Sequence, residues 1–292
     1  MRSILRSSLF AALFLVSAAT ISAQRPGRGE APPVLIPKDQ VVDEAPAPAL
    51  PQQDPEAGAR QPGIDLGAQG AAQAPDQRVP RPIAPQAPRP FADNRPLLEI
   101  DGVPVTGGEL NELVAYFWTF RPGSPDLLLR DAVAAVAPRC AVQARFAREL
   151  PALRARADAA LAALRAGRTF AEVVAEYSDD DEAPTADGRY EFLREVAVQP
   201  FDLRAHTGNI GELKGPFLTQ FGYHVLEVLA YQQDPDPKQD RTTVRHVLVM
   251  FPFSGDEPRA EIRAARDGCR IRLLEPGLRG MIPPELRGRI VE

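Results

Sequence analysis

The sequence predicts an α+β fold: a run of helices followed by alternating strands, all placed behind a long proline-rich arm. Three observations carry this. Between residues 107 and 176 apolar side chains recur at helical spacing, with breaks at Gly and Pro. From Gly215 to Val228, Gly-Pro-Phe-Leu-Thr-Gln-Phe-Gly-Tyr-His-Val-Leu-Glu-Val reads as a glycine turn feeding a strand. Tyr223, Val225 and Glu227 point one way in that strand, and His224, Leu226 and Val228 the other. A second alternating run, Thr242 to Met250, follows the turn residues Asp234-Pro-Asp-Pro237.

The chain opens with Arg2 and Arg6, an apolar run from Leu9 to Ala19, and the small residues Ser22 and Ala23. That is the three-part layout of a secretory signal peptide, assigned to residues 1–23. The apolar run is short for a membrane span, although an uncleaved signal would tether the chain to a membrane. With no Cys at the cleavage point, a lipoprotein anchor is not expected. Residues 24–96 are rich in Pro, Ala, Gln, Gly and Asp and poor in aromatics, so they lack the apolar surface that offsets ordering a chain. They read as a disordered linker with polyproline-like stretches at Ala45-Pro-Ala-Pro48 and Arg78 to Pro88. A net charge of -5 argues against nucleic acid as a partner. Cys140 and Cys269, the only cysteines, would in an exported protein either form one disulfide or remain two separate buried thiols.

The remaining chain suffices for one domain plus an accessory segment. Residues 97–154 form the accessory segment. Leu97 to Thr106 gives two short strands around Asp101-Gly102, and a helix from about Glu109 to Phe120 aligns Leu110, Leu113, Val114, Phe117 and Trp118. A helical zone from Leu127 to Leu150 is expected to be interrupted near Pro138. A third helix, Pro151 to Arg165, carries Leu153, Leu161 and Leu164 on one side and stops at Gly167. Thr169-Phe-Ala-Glu172 has the spacing of a capping box and starts a helix over Phe170 to Glu176. A short strand, Arg270 to Leu274, falls in the tail 255–292, to which the sequence assigns no function.

Residues 159–178, a helix ending in Gly, then Phe-Ala on a second helix, then Tyr-Ser, begin an ordered series of motifs. It continues through Asp179-Asp180, Gly188, Gln199-Pro-Phe201, Gly208, Gly211 and Thr219-Gln-Phe-Gly-Tyr-His224. This series resembles the parvulin-type peptidyl-prolyl isomerases over roughly residues 155–232. The resemblance implies an antiparallel four-stranded sheet with surrounding helices, spanning 155–254. It also implies that the accessory helices resemble those which hold unfolded clients in exported parvulin chaperones.

Parvulins normally begin with a strand carrying a first histidine in a His-Ile-Leu-Val type motif. Here helical sequence stands in that place, and the motif appears downstream as Thr242-Thr-Val-Arg-His-Val-Leu-Val-Met250. In the parvulin fold the first and last strands are antiparallel neighbours, so a hairpin joining residues 215–228 to 242–250 would rebuild the sheet as a circular permutation. A hairpin centred near Pro235 would set His224 opposite His246, Leu226 opposite Val244 and Gly222 opposite Leu248. The competing arrangement makes Thr242 onward a decayed second repeat, with Glu257 to Arg266 its first helix. The short connection favours the hairpin.

The resemblance assigns residues one by one. His246 and His224 match the paired histidines, Asp180 the position held by Cys or Asp, and Thr219 the threonine of their hydrogen-bond network. Phe201 matches an aromatic wall of the proline pocket and Phe221 a neighbouring aromatic position. Ala197 stands where the family usually has Met or Leu, with Val196 or Val198 filling part of that volume. The usual Gly-Asp-Leu-Gly turn is replaced by Gly188-Arg-Tyr-Glu191. The implied reaction, rotation about X-Pro bonds of unfolded or proline-containing clients, breaks no bond and needs no metal or cofactor. Each residue also has a plainer reading. His224 would be a hydrogen-bonded core histidine, Thr219 and Phe201 strand and core residues, and Asp179 to Glu182 a solvated loop without the spacing of a calcium site. The third histidine, His206, is expected to be exposed, and no zinc or hydrolase triad is indicated.

Overall fold

A computed structural model of the chain describes residues 79–181, 183–255 and 257–292. The signal peptide, the linker up to residue 78 and Glu182 therefore lie outside the described residues. From residue 79 the proline-rich segment is held against folded structure. Arg81 donates to the Asp240 carboxylate and to the Asp234 carbonyl. Asn111 exchanges hydrogen bonds with the Phe91 backbone and reaches the Asp93 side chain. Residues 79–95, read from composition as the last part of the arm, thus have partners in the folded part of the chain. Composition does not reveal these polar partners.

An accessory lobe opens the order of elements. β1 (Pro96–Ile100) and β2 (Val103–Thr106) form a hairpin in which Asp101 and Gly102 both take positive φ, as an Asp-Gly turn of this length requires. The Thr106 side chain then accepts from the Glu109 amide and starts α1 (Gly107–Phe120). In α2 (Pro125–Arg145) the helix passes through Pro138 without a break, contrary to the sequence expectation. Val133, Val136, Ala137, Cys140 and Ala141 are all buried around that point. Their burial outweighs the one hydrogen bond that proline cannot make.

α3 (Leu150–Arg165) ends at Gly167, whose φ of +92° lets the Arg168 amide turn back to the Ala163 carbonyl. Both halves of the capping box at Thr169 and Glu172 are formed, starting α4 (Phe170–Tyr177). Next come β3 (Arg189–Leu193), α5 (Phe201–His206), β4 (Leu213–Leu218), β5 (Gly222–Gln232) and β6 (Arg241–Met250). The chain closes with α6 (Pro258–Gly268), β7 (Ile271–Leu273) and β8 (Ile290–Val291). None of the described helices is long and apolar enough to cross a membrane.

Among the described residues two four-stranded sheets form, ordered β2-β1-β7-β8 and β3-β6-β5-β4. In the first, the tail pairs with the opening hairpin, so Ile271, Leu278, Ile282 and Leu286 complete the core of the accessory lobe. Cys140 and Cys269 lie in that same core as free thiols, which burial pushes up to about 12 and about 11. The second sheet is antiparallel throughout. One face packs Val225 and Val247 against α3 and α4, and the other packs Leu226, Val228 and Val244 against α5.

The β5–β6 hairpin is present, with a register two residues from the expected one. His224 lies opposite Leu248, Leu226 opposite His246 and Gly222 opposite Met250. The turn through Pro237–Gln239 sets the pairing beside it three residues from the expected one, and a β-bulge between Val228 and Ala230 returns one of them. Because the strand repeat is two, this slip leaves every side chain on its expected face. It makes the two histidines diagonal neighbours rather than a facing pair.

Candidate active site

Diagonal neighbours on one strand face stand close enough for long side chains to meet. His224 on β5 and His246 on β6 do so, Nδ1 to Nδ1, at 3.3 Å, and they are only 4% and 2% exposed. Each outer nitrogen has a polar neighbour. Thr219 Oγ1 is 2.9 Å from His224 Nε2, and the Thr219 hydroxyl oxygen accepts from the Phe221 amide. His246 Nε2 stands 3.2 Å from Asp180 Oδ2. The same carboxylate oxygen accepts from the Tyr190 hydroxyl at 2.8 Å.

These partners orient the row. An ionised carboxylate only accepts, so it favours a proton on His246 Nε2 and leaves Nδ1 as an acceptor. His224 then donates from Nδ1, and its Nε2 accepts from the Thr219 hydroxyl. The Thr219 oxygen is left free to accept from the Phe221 amide, as observed. Proton positions follow here from the partners. Burial pushes the His224 imidazole well below its usual value, and the adjacent His246 lowers it further against an opposing effect of Asp180. A neutral His224 is the form this row requires.

The backbone explains how the side chains come to be there. Ser178 and Asp179 run along the edge of β6. The Asp179 amide donates to the Leu248 carbonyl, the Leu248 amide to Ser178 Oγ, and the Met250 amide to Asp179 Oδ2. Arg156 from α3 clamps the Asp179 carboxylate with two bonds of 2.8 and 2.9 Å. This pinning aims Asp180 at His246. Gly188, with φ +68°, exchanges backbone contacts with His246, and a Cβ there would stand 2.3 Å from the His246 carbonyl oxygen.

An aromatic shell closes over the row. The Phe201 ring lies 5.0 Å from His224 and 5.1 Å from His246, edge to face in both cases. Phe217 on β4 stacks on His224 at 5.7 Å, and Tyr190 on β3 lies 5.2 Å from His246. Ala197 is buried in the same cluster as Phe201, with Val196 and Val198 half-buried against it. Of the residues singled out from sequence, His224, His246, Asp180, Thr219, Phe201, Ala197 and Val198 are thus brought together. The side chain of Phe221 is not. It packs toward Val142, Phe146, Phe251 and Ile262, and only its amide serves Thr219.

His206 departs from its expected exposure: it is buried in α5, with Nδ1 3.1 Å from the Asp202 carbonyl and its ring against Phe192. Tyr190, Phe217, Ser178 and Asp179 were not selected from sequence. Alternation in β3 marks Tyr190 as inward, and pairing of Phe217 with His224 marks the second aromatic, once the register is known. Among the described residues no group of three or more His, Cys, Asp or Glu is arranged to hold a metal ion.

Residues 140–230 match the family described as "Rotamase: PPIC-type PPIASE domain". The match ends inside β5 and leaves out β6 with His246. Among curated proteins the chain is similar to several named "Chaperone SurA". That of Albidiferax ferrireducens is 34% identical over 124 residues, covering 41% of this chain and 26% of the relative. That of Chromohalobacter salexigens is 33% identical over 107 residues, 36% and 24% of the two chains. That of Pseudomonas fluorescens (strain Pf0-1) is 29% identical over 116 residues, 39% and 27%. The chain therefore spans about a quarter of the length of the curated relatives it matches. No solved structure matches it.

Proposed function

We propose that this chain, whose residues 140–230 carry a PPIC-type rotamase domain, is an exported peptidyl-prolyl cis-trans isomerase that assists the folding of secreted or envelope proteins. The observation that supports it best is the buried row Thr219, His224, His246 and Asp180 beneath the Phe201 ring. Export rests on the signal-like residues 1–23, and client binding on the chaperone names of the relatives. The clients are unfolded or proline-containing polypeptides. In this reading β6 is the family's first strand moved to the end of the domain. That placement accounts for a family match that stops at residue 230.

Rotation about an X-Pro bond meets a barrier of about 18–20 kcal/mol because the twisted amide loses its resonance. A catalyst lowers it by interacting better with the twisted state than with either planar isomer. Phe201, Phe217 and Val198 supply an apolar wall for the proline ring. The histidine row, oriented by Asp180 and Thr219, supplies a fixed set of dipoles at the amide. A neutral His224 keeps a charge out of a site that must admit an apolar ring.

A second reading, a peptide-binding chaperone without turnover, draws on the small Ala197 and on the altered turn Gly188-Arg-Tyr-Glu191. NMR exchange on a panel of X-Pro peptides separates the two, using the full chain with His224→Ala and Asp180→Ala. Isomerase function predicts faster exchange that drops at least about tenfold in folded variants. Peptide binding without any acceleration would leave the chaperone reading.

A further inference from the structure

From the buried contact between α1 and α5 we infer that Tyr116 and Asp202 are positioning residues for the proline pocket. Through them the accessory lobe sets the place of the Phe201 ring. This inference rests on the isomerase reading above, because it concerns the wall of the same pocket.

α5 belongs to both lobes. Phe201 and Ala205, one helical turn apart, pack into the cluster beneath the histidines, whereas Leu203 between them packs into the accessory core with Tyr116 and Phe120. Asp202 follows Phe201 directly in the chain and is 0% exposed. Its Oδ2 accepts three hydrogen bonds: from the Tyr116 hydroxyl of α1 at 2.6 Å, the Glu195 amide at 3.1 Å and Gln199 Nε2 at 3.3 Å. Those last two donors bracket residues 196–198, the segment carrying Ala197 and Val198. One carboxylate oxygen thus ties together the start of α5, the loop that packs Ala197 and Val198 into the cluster with Phe201, and a helix from the other lobe.

The loop needs such a tie. Glu195 has φ +62°, a left-handed conformation unfavourable for a residue with a Cβ, and it persists only where surrounding contacts enforce it. Its amide is held by Asp202 and its carboxylate by Arg121 at the end of α1, 3.0 Å away. Tyr116 is held in turn. Its ring lies 5.6 Å from the guanidinium of Arg194, which is anchored on Asp240, and Asp240 also binds Arg81. Burial and the Asp202 charge keep the Tyr116 hydroxyl well above its usual range, so it remains a donor. A buried hydroxyl to a buried carboxylate is a charge-assisted bond, and removing its donor takes away the shortest of the three bonds this oxygen accepts and the one that comes from α1.

The test compares the full chain with Tyr116→Phe, which deletes the hydroxyl and keeps the ring. Glu112→Gln serves as control, because it weakens the exposed Glu112–Arg204 pair between the same two helices. Phe201 ring resonances, peptide Kd, exchange rates and the unfolding midpoint are read on each. We expect displaced Phe201 resonances in Tyr116→Phe and a peptide Kd raised about tenfold, the loss of one hydrogen bond to a charged group. A smaller folded fraction alone would lower the rate and raise the apparent Kd in proportion, so Kd is corrected by the folded fraction taken from the unfolding curve, and the Phe201 resonances of the folded form would stay in place. In Glu112→Gln the resonances and Kd are both expected to stay in place. Unmoved resonances and an unchanged Kd in folded Tyr116→Phe would overturn the inference, as would equal effects in Glu112→Gln. If Tyr116→Phe does not fold, Asp202→Asn, which keeps a carbonyl acceptor but loses the charge, carries the same comparison. Absence of isomerisation in the unmodified chain would sink the isomerase reading alone, since Phe201 resonances and Kd still decide the positioning.

Discussion

His224 links residue chemistry to stability. Burial holds its pKa well below 6.5 in the folded chain, whereas the unfolded chain titrates near that value, so the unfolded state binds the extra proton first. The contribution of a neutral His224 is therefore fully present above pH 6.5 and is lost as pH falls below it, until the folded-state pKa is reached. One such proton gives a slope of at most about 1.4 kcal/mol per pH unit. Urea midpoints between pH 7.5 and 5 should fall in the unmodified chain and fall less steeply in His224→Gln. Parallel slopes would mean that other groups dominate. His224, His246, Asp180, Thr219 and Phe201 were all legible as site candidates, because each is a distinctive residue type inside an ordered motif. Tyr190 and Phe217 were not, because nothing in their own segments distinguishes an aromatic facing a histidine from one facing the core.

Helix and strand boundaries followed local chemistry closely where a cap or glycine marked them, as at Thr169 and Gly167. Local rules failed at Pro138, where burial of one helix face carried α2 straight through. Pro138→Ala should return the missing amide and raise stability by about 1–3 kcal/mol, seen as a higher urea midpoint. An unchanged midpoint would show that the carbonyl at residue 134 is already satisfied. The hairpin teaches a related lesson. Alternation specified which face each histidine occupies, but the register depended on where the turn through Pro237–Gln239 is centred and on a bulge at Val228 and Ala230 that returns one residue of the shift. Phe221 was misplaced for the same kind of reason, since it lies in the turn before β5, where strand alternation no longer dictates direction.

At the scale of the whole molecule, the tail closes the accessory core. Ile271, Leu278, Ile282 and Leu286 are each buried there, and at about 1.5–3 kcal/mol per side chain their joint contribution rivals the stability of an ordinary domain. A chain ending at residue 254 should therefore lose the fixed packing of α1 and α2, bind a hydrophobic dye and unfold without cooperativity. A sharp transition near that of the full chain would show the accessory lobe to be independent of β7 and β8. Nothing in the tail's own sequence announces this role, because its strands are only three and two residues long.

The sequence by itself determined the α+β class, the succession of helices and the faces of the strands. It also determined the residue types available to the site, since capping, glycine punctuation and alternation are local properties. Tertiary structure decided the rest: the diagonal meeting of His224 and His246, the pinning of Asp180 along β6, the joining of tail to opening hairpin, and the reach of Tyr116 into α5. Each depends on groups far apart in the chain whose pairing is selected by collective burial and by the need to satisfy polar atoms removed from water.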